Sequence, residues 1–573
     1  MHRLAAVPGS TSPSDGVVFI EQPPAEVVLL SSADTDLAAL ASLLDHDPHP
    51  LGEAVAIRAL NLAALQHPAV CDHYLRTSLQ QTRLLVVRLL GGRSHWGYGL
   101  EQLQRWAAQA PGRQLMVLAG TPDLETELLP LGTVDPAISR ACGRCLQEGG
   151  GDNLQRVLHS LRGLLEQGSA EPPCPQPLAD PLPHDWREEP GPRVGVVLYR
   201  ALLQAGDLAL VEALLQALRS KGLAPRALWV SSLRSDAVQG GVADLLRREA
   251  VELVLCTTSF ASVQWSEAGL GAPLWEGLAV PVLQLLCSSQ SREAWEASSL
   301  GLSPLDLSLQ VALPELDGRI TTRVGAFKQP ISADPRLATA LQRYVPDADR
   351  LGWVAELAAR WCALRGTPAQ QRRLALVLAN YPTRNSRLAN GVGLDTPASA
   401  AAMLRWLREA GYTLGPHPLP ADGDGLIQAL LAGRSNDPES QHRPPLAHLP
   451  LADYETWFAT LPAEPRGRLE RQWGSPEQDP QLEPAGFPIQ GLRFGHVVLL
   501  IQPERGYGRD PALSYHSPDL PPTHLYLAQY LWLRQHAQVQ LVCHVGKHGN
   551  LEDRKSTRLN SSHSSVSRMP SSA

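Results

Sequence analysis

"RVGVVLYRALLQAGDLALVEALLQALRSKGLAPRALWVSSL", residues 193–233, decides the fold. It reads as a short run of Val and Leu, then a stretch with apolar residues at helical spacing, then a second apolar run. A buried strand, a crossover helix and a second buried strand produce that order, because a parallel sheet is covered on both faces and its strands are apolar throughout. The pattern continues through "DAVQGGVADLLRREA" (236–250), "VELVLCTTSF" (251–260) and "VPVLQLL" (280–286), which predicts a doubly wound α/β sheet over 193–330.

The same alternation runs upstream. "EVVLLSS" (26–32), "RLLVVRLLGG" (83–92) and "RQLMVLAG" (113–120) are strand-like, with helical patterns at 35–44 and 99–109, so 1–170 is expected to be an N-terminal α/β domain. Residues 171–192 hold eight prolines and read as a linker. "DPRLATALQRYV" (334–345) and "DRLGWVAELAARWCALRG" (349–366) predict a helical segment over 331–370, with Trp353, Leu357, Trp361 and Leu364 on one face.

A third unit opens with the strand "RLALVLAN" (373–380) and a helix from 397, for which Thr396 can serve as cap and Pro397 fits the first turn. The loop between them, "YPTRNSRLANGVGLD" (381–395), is longer than compact strand-to-helix connections usually are, which points to function. A strand at 493–502, a helix at 521–535 and a strand at 539–545 follow. The fold class expected is therefore α/β, several open and mostly parallel sheets with helical insertions. Ligands collect at the carboxyl ends of such strands. "PERGYGRD" (503–510) and "GKHGNLE" (546–552) both stand there.

A chain of 573 residues is long enough for several cores, and no stretch is apolar enough to span a bilayer. The start has no cationic region followed by an apolar run and a cleavage site, so a cytoplasmic location is expected. A net charge of -7 without a basic stripe argues against nucleic acid. The eight cysteines lie mostly in apolar segments; Cys142 and Cys145 have no second pair at zinc spacing and read as core.

The third unit collects Arg384 and Arg387 in one loop, Arg505, Tyr507 and Asp510 in a second, His516, Asp519 and His524 before a helix, and His544, Lys547, His548 and Glu552 in the last. Imidazole with carboxylate can hold a borderline divalent ion and move a proton near neutral pH. The same groups could equally be scattered surface residues.

Residues 373–412, 503–534 and 544–552 resemble three successive signature stretches of cobaltochelatase large subunits, within the wider family that includes the large subunit of magnesium chelatase. "MHRLAAVPG" (1–9), "GGRSHWGYGLEQL" (91–103) and residues 194–218 resemble the same family in the same order. The resemblance implies ATP-driven insertion of Co2+, as substrate, into hydrogenobyrinic acid a,c-diamide for cobalamin biosynthesis. It implies two partners, an AAA+ ATPase and a companion with a metal-dependent adhesion type domain. The chain has no phosphate-binding loop of the G-x-x-x-x-G-K-[ST] type, so ATP is expected to be hydrolysed by a partner.

On that reading a macrocycle must lose its inner N–H protons, and His548 or Glu552 is the expected base. His544, with His516 and His524, is expected to pass the metal. Arg384, Arg387, Arg505 and Lys547 are expected to meet the substrate's carboxylates, Arg by its planar fork. The order around Lys547 looks like the cobalt branch of the family. Alternatives are magnesium insertion into protoporphyrin IX and a non-catalytic tetrapyrrole-binding α/β protein. Residues 371–552 are read as the start of a chelatase core. The serine-rich 553–573 has no apolar face, resembles translated adapter sequence and is read as foreign, which makes the chain a truncated piece of the family's longer subunit.

Overall fold

The computed structural model describes residues 18–266, 269–298, 301–380, 385, 388–389, 393–506, 520–546 and 568–569. The chain forms two compact units, 1–298 with 302–351, and 299–301 with 352–573.

Unit 1 begins with four parallel strands, β1 (Val27–Ser31), β2 (Ile57–Asn61), β3 (Leu84–Leu89) and β4 (Gln114–Ala119), in the order β2-β1-β3-β4. β1 and β3 are fully buried because apolar cores form on both faces. One holds residues of α1 (Asp34–His46), α4 (Pro136–Glu148) and α5 (Gly151–Gln167); the other holds those of α2 (Pro68–Thr77) and α3 (Gly97–Ala108). Cys142 and Cys145 lie in the first of these cores, and burial pushes the Cys142 thiol up to about 12, which suits a packing residue and not a metal-binding thiolate.

A second sheet of unit 1 has seven strands. β5 (Leu182–His184), β6 (Arg193–Tyr199), β7 (Ala224–Val230) and β8 (Leu253–Cys256) belong to it. β9 (Gln264–Ser266) and β10 (Gly269–Gly271) form a separate ribbon. β11 (Val282–Ser288), β12 (Ile320–Asp334) and β13 (Thr339–Pro346) complete the sheet in the order β13-β12-β11-β8-β6-β7-β5. The crossover helices expected from residues 193–233 and 236–250 are α6 (Ala209–Ser220) and α7 (Asp236–Arg248).

Three expectations need correction. The proline-rich 171–192 is not merely a linker: β5 lies within it and pairs antiparallel with β7 at the sheet edge, where Pro183 needs no ladder N–H. Residues 334–345 are turn and strand, not helix; β13 runs antiparallel to β12, and its first positions alternate buried and exposed, a period of two that outweighs the helical look of Leu337, Leu341 and Tyr344. The division between 1–170 and 193–330 does not separate compact units, because the β12–β13 hairpin of the second sheet packs against the core of the first. Leu337 and Leu341 pack in its core, Ala59 N–H donates to Leu337 O, and Gln22 Nε2 donates to the carbonyls of Leu337 and Ala338.

α8 (Ala348–Gly366) is helical as expected, with Leu357 and Trp361 buried and Trp353 and Leu364 half-buried. Unit 2 then carries β14 (Leu374–Leu378) and α9 (Thr396–Glu409). Thr396 is not the cap: the Asp395 carboxylate accepts from Ala398 N–H at 3.0 Å, and Thr396 is the first helical residue with Pro397 behind it. β15 (Ala447–Leu449) pairs with β16 (Phe487–Ile489), and α10 (Leu451–Phe458) lies between them in sequence. β17 (Gly491–Phe494), β18 (Val497–Ile501), α11 (His524–Gln535), β19 (Leu541–Val545) and β20 (Arg568–Met569) follow. The sheet order is β17-β18-β14-β19-β20, with β18, β14 and β19 parallel.

Candidate functional site

β14 enters the sheet first, β18 adds on one side of it and β19 on the other, so the chain reverses direction across β14. Such a switch point opens a crevice outside the carboxyl ends of the strands. Three segments follow those ends in sequence: 379–395 after β14, 502–523 after β18 and 546 onward after β19. They contain, or directly flank, every candidate residue taken from the sequence. Arg384, Arg387, His516, Lys547, His548 and Glu552, with Tyr507, Asp510 and Asp519, lie outside the described residues. Arg505, His524 and His544 lie within them.

His544 is near the carboxyl end of β19, in register with Val377 of β14. Its half-buried ring stacks on Tyr530 of α11, with centroids 6.0 Å apart and planes at 24°. Removal from water disfavours the imidazolium and lowers its pKa to about 4. At neutral pH the ring is uncharged and keeps a lone pair. Gln502, the first residue after β18, supports the stack: its Nε2 donates to Tyr530 Oη at 3.2 Å and Tyr526 Oη at 3.3 Å, its N–H donates to Leu378 O, and its carbonyl accepts from Asn436 Nδ2.

His524 is in a different situation. It opens α11 after the cap residue Thr523, wholly buried. Nε2 faces the Gly474 carbonyl at 3.0 Å and must donate; Nδ1, 2.9 Å from Tyr454 Oη, must then accept. Tyr454 and Phe458 of α10 meet the ring edge-on. With the Nε2 proton given to Gly474 and the Nδ1 lone pair taken by Tyr454, no lone pair faces an open site, so the metal-passing role expected for His524 is corrected to a structural one.

Arg505 is buried, and its Nη2 donates to Leu520 O at 3.0 Å, which ties Arg505 to the start of the segment that leads into α11. Gly506 makes the turn possible. Its φ is +105°, and a Cβ there would stand 2.3 Å from the Trp473 ring.

Two residues that the sequence reading passed over also belong to this edge. Among the described residues, Asn380, just beyond β14 and 1% exposed, has no partner for either side-chain amide atom, and Gln529 of α11 donates to Ile501 O while its Oε1 has none. A buried amide without partners costs on the order of 1–3 kcal/mol, and such groups at a crevice are places for a ligand to bond. The available signal was a polar residue directly after each apolar strand, Asn380 after "LALVLA" and Gln502 after "VVLLI". Among the described residues no cluster of three or more His, Cys, Asp or Glu could hold a metal ion, and no helix is long and apolar enough to cross a membrane.

A sequence profile described as CobN/Magnesium Chelatase matches residues 144–567. The aerobic cobaltochelatase subunit CobN of Pseudomonas aeruginosa is 39% identical over 567 residues, 96% of this chain and 45% of that protein. A magnesium-chelatase subunit of Rhodobacter capsulatus is 24% identical over 388 residues, 65% of this chain and 31% of that one. The solved catalytic subunit of cobaltochelatase from Mycobacterium tuberculosis superposes with a TM-score of 0.68 at 32% identity, covering 94% of this chain and 44% of its own. The chain thus spans less than half the length of the cobaltochelatase subunits it matches, and with three quarters of its length inside the profile it belongs to the CobN/magnesium chelatase family.

Proposed function

We propose that this chain is part of the large, tetrapyrrole-binding subunit of an aerobic cobaltochelatase, which inserts Co2+ into hydrogenobyrinic acid a,c-diamide. The observation that carries the proposal is the departure of all three signature loops from the carboxyl ends of neighbouring strands β18, β14 and β19. Adjacent strands are about 5 Å apart, so these loops start within the span of one macrocycle.

The chemistry divides among the residues. His544, uncharged at neutral pH, offers a lone pair to an incoming divalent metal. Imidazole suits borderline Co2+ better than Mg2+, which prefers oxygen. His516 is the second candidate on that path. His548 or Glu552, in the loop after β19, takes the ring's N–H protons. Arg384, Arg387 and Lys547 meet the substrate's carboxylates, and Arg505, tied to Leu520, fixes the loop beside them. Asn380 supplies an unspent amide to the ring periphery. ATP is hydrolysed by an AAA+ partner acting with an adhesion-domain companion. The higher identity to cobalt than to magnesium enzymes supports the choice of metal.

The test is corrin metallation by the protein at the length of its relatives, assembled with both partners, and by His544→Ala and His548→Ala/Glu552→Gln variants. Each variant is expected to lose about 10- to 100-fold in rate. Undiminished metallation in both variants, or preferential loading of protoporphyrin with Mg2+, overturns the reading.

A further inference from the structure

Unit 1 holds a partly open cavity of about 210 Å3 that the metallation chemistry does not use. It lies at the switch point of the seven-stranded sheet. β6 is the first of the sheet's parallel strands, with β7 on one side and β8 on the other, so a crevice opens beyond the carboxyl ends of β6 and β8. Tyr199 ends β6, and Thr257 and Ser259 follow β8; all three line the cavity. The opposite wall is Asp34 and Thr35, from the first turn of α1 beyond the carboxyl end of β1. The carboxyl edges of both sheets of unit 1 therefore contribute, as in a two-lobed binding cleft.

The charged groups in the lining are not equally occupied. Lys328 Nζ is 2.6 Å from Asp34 Oδ2. Asp306 accepts from the Ser289 N–H and hydroxyl and from Gln310 Nε2. Asp207 is 6% exposed; its Oδ2 accepts from Tyr344 N–H at 3.0 Å, and its Oδ1, shut off from solvent, has no partner among the described residues. Lys328 and Tyr344 are cross-strand neighbours, so Asp207 sits beside an ammonium already committed to Asp34. Burial raises the Asp207 carboxyl above its ordinary range, against the opposing pull of the Tyr344 N–H, Arg343 and Lys328. The lining thus holds three aspartates against one paired lysine, with Leu202, Phe260, Leu305 and Leu309 as its apolar part.

We propose that this cavity binds a small organic amine, whose ammonium group bonds to Asp207 and whose apolar body lies against Leu202, Phe260, Leu305 and Leu309. The occupant is a cation because an anion would meet three carboxylates and only one, already neutralised, ammonium. The site is built from unit 1 alone and does not depend on the metallation reading.

Two probes of the same skeleton and opposite charge, 2-phenylethylamine and phenylacetate, test it by ligand-observed saturation-transfer NMR on the chain. The amine is expected to bind saturably with a Kd on the order of 1 mM, in keeping with its few atoms, and phenylacetate is expected not to compete. Asp207→Asn is expected to weaken the amine about tenfold, the worth of one charged hydrogen bond. Leu202→Trp, which fills the cavity without altering its charge, is expected to abolish binding and decides the matter if Asp207→Asn does not fold. Equal binding of phenylacetate, no saturable amine binding below about 20 mM, or amine binding undiminished by the folded variants overturns the proposal.

Discussion

His524 and His544 stand 20 positions apart at the same sheet edge, and their surroundings give them opposite uses. His524 spends both nitrogens on Gly474 and Tyr454. Tyr454→Phe is therefore expected to leave a buried imidazole acceptor unpaired and cost about 1–3 kcal/mol in denaturant unfolding, with metallation unchanged. Lost metallation in a fully stable variant would contradict the structural assignment. His544 has its pKa lowered to about 4 from an ordinary value near 6.5. Between those values the unfolded chain binds a proton that the folded one refuses, so folding loses stability as pH falls from 6.5 towards 4 and the loss levels off below that. Urea midpoints measured across this range are expected to fall more steeply for the natural chain than for His544→Gln; parallel slopes would refute it. The sequence could mark both residues as chemical, since imidazole near a strand end or before a helix is a local pattern. It could not separate them, because the discriminating partner, Tyr454, is 70 residues from His524 and belongs to another helix.

At the scale of the element, strands and crossover helices were legible wherever the period was clean, and their ends were less so. α9 shows why: Asp395 and Thr396 are adjacent and both able to cap, and only the backbone path decides that Asp395 faces Ala398 N–H. Asp395→Ala is expected to cost about 1 kcal/mol, whereas Thr396→Val, which removes a buried hydroxyl without a partner, is expected to be neutral or mildly stabilising. Thermal melting of the two variants distinguishes the caps, and equal losses would return the role to Thr396. Gly506 is a second boundary device. Gly506→Ala must place a methyl against Trp473 at a φ of +105°, and a loss of about 1–3 kcal/mol is expected. The accompanying shift of Arg505 is expected to appear as weaker corrin binding. The helical reading of 334–345 failed for a related reason: leucines compatible with either period were resolved by pairing with β12, a contact no short window contains.

For the whole molecule, family resemblance carried the sequence reading furthest, while domain division carried it least. The composition break at 171–192 is real, but the tie across it comes from 337–341, long after both sheets have been written. Leu337→Ala is expected to cost about 2–5 kcal/mol. Hydrogen exchange should then show β1–β4 and the β12–β13 hairpin losing protection together; protection lost in the hairpin alone would mean that the two sheets unfold independently.

The short strand β5 has one further effect. A sheet ending on β7 would offer a row of open backbone groups beside the buried ring of Trp229, a template onto which a second chain could polymerise. β5 occupies that row for three residues, one of them Pro183, and His184 covers the indole edge-on at 5.1 Å. The stretch that reads as a linker in the sequence thus covers part of this edge, and removing it is expected to leave the β7 backbone open to pairing.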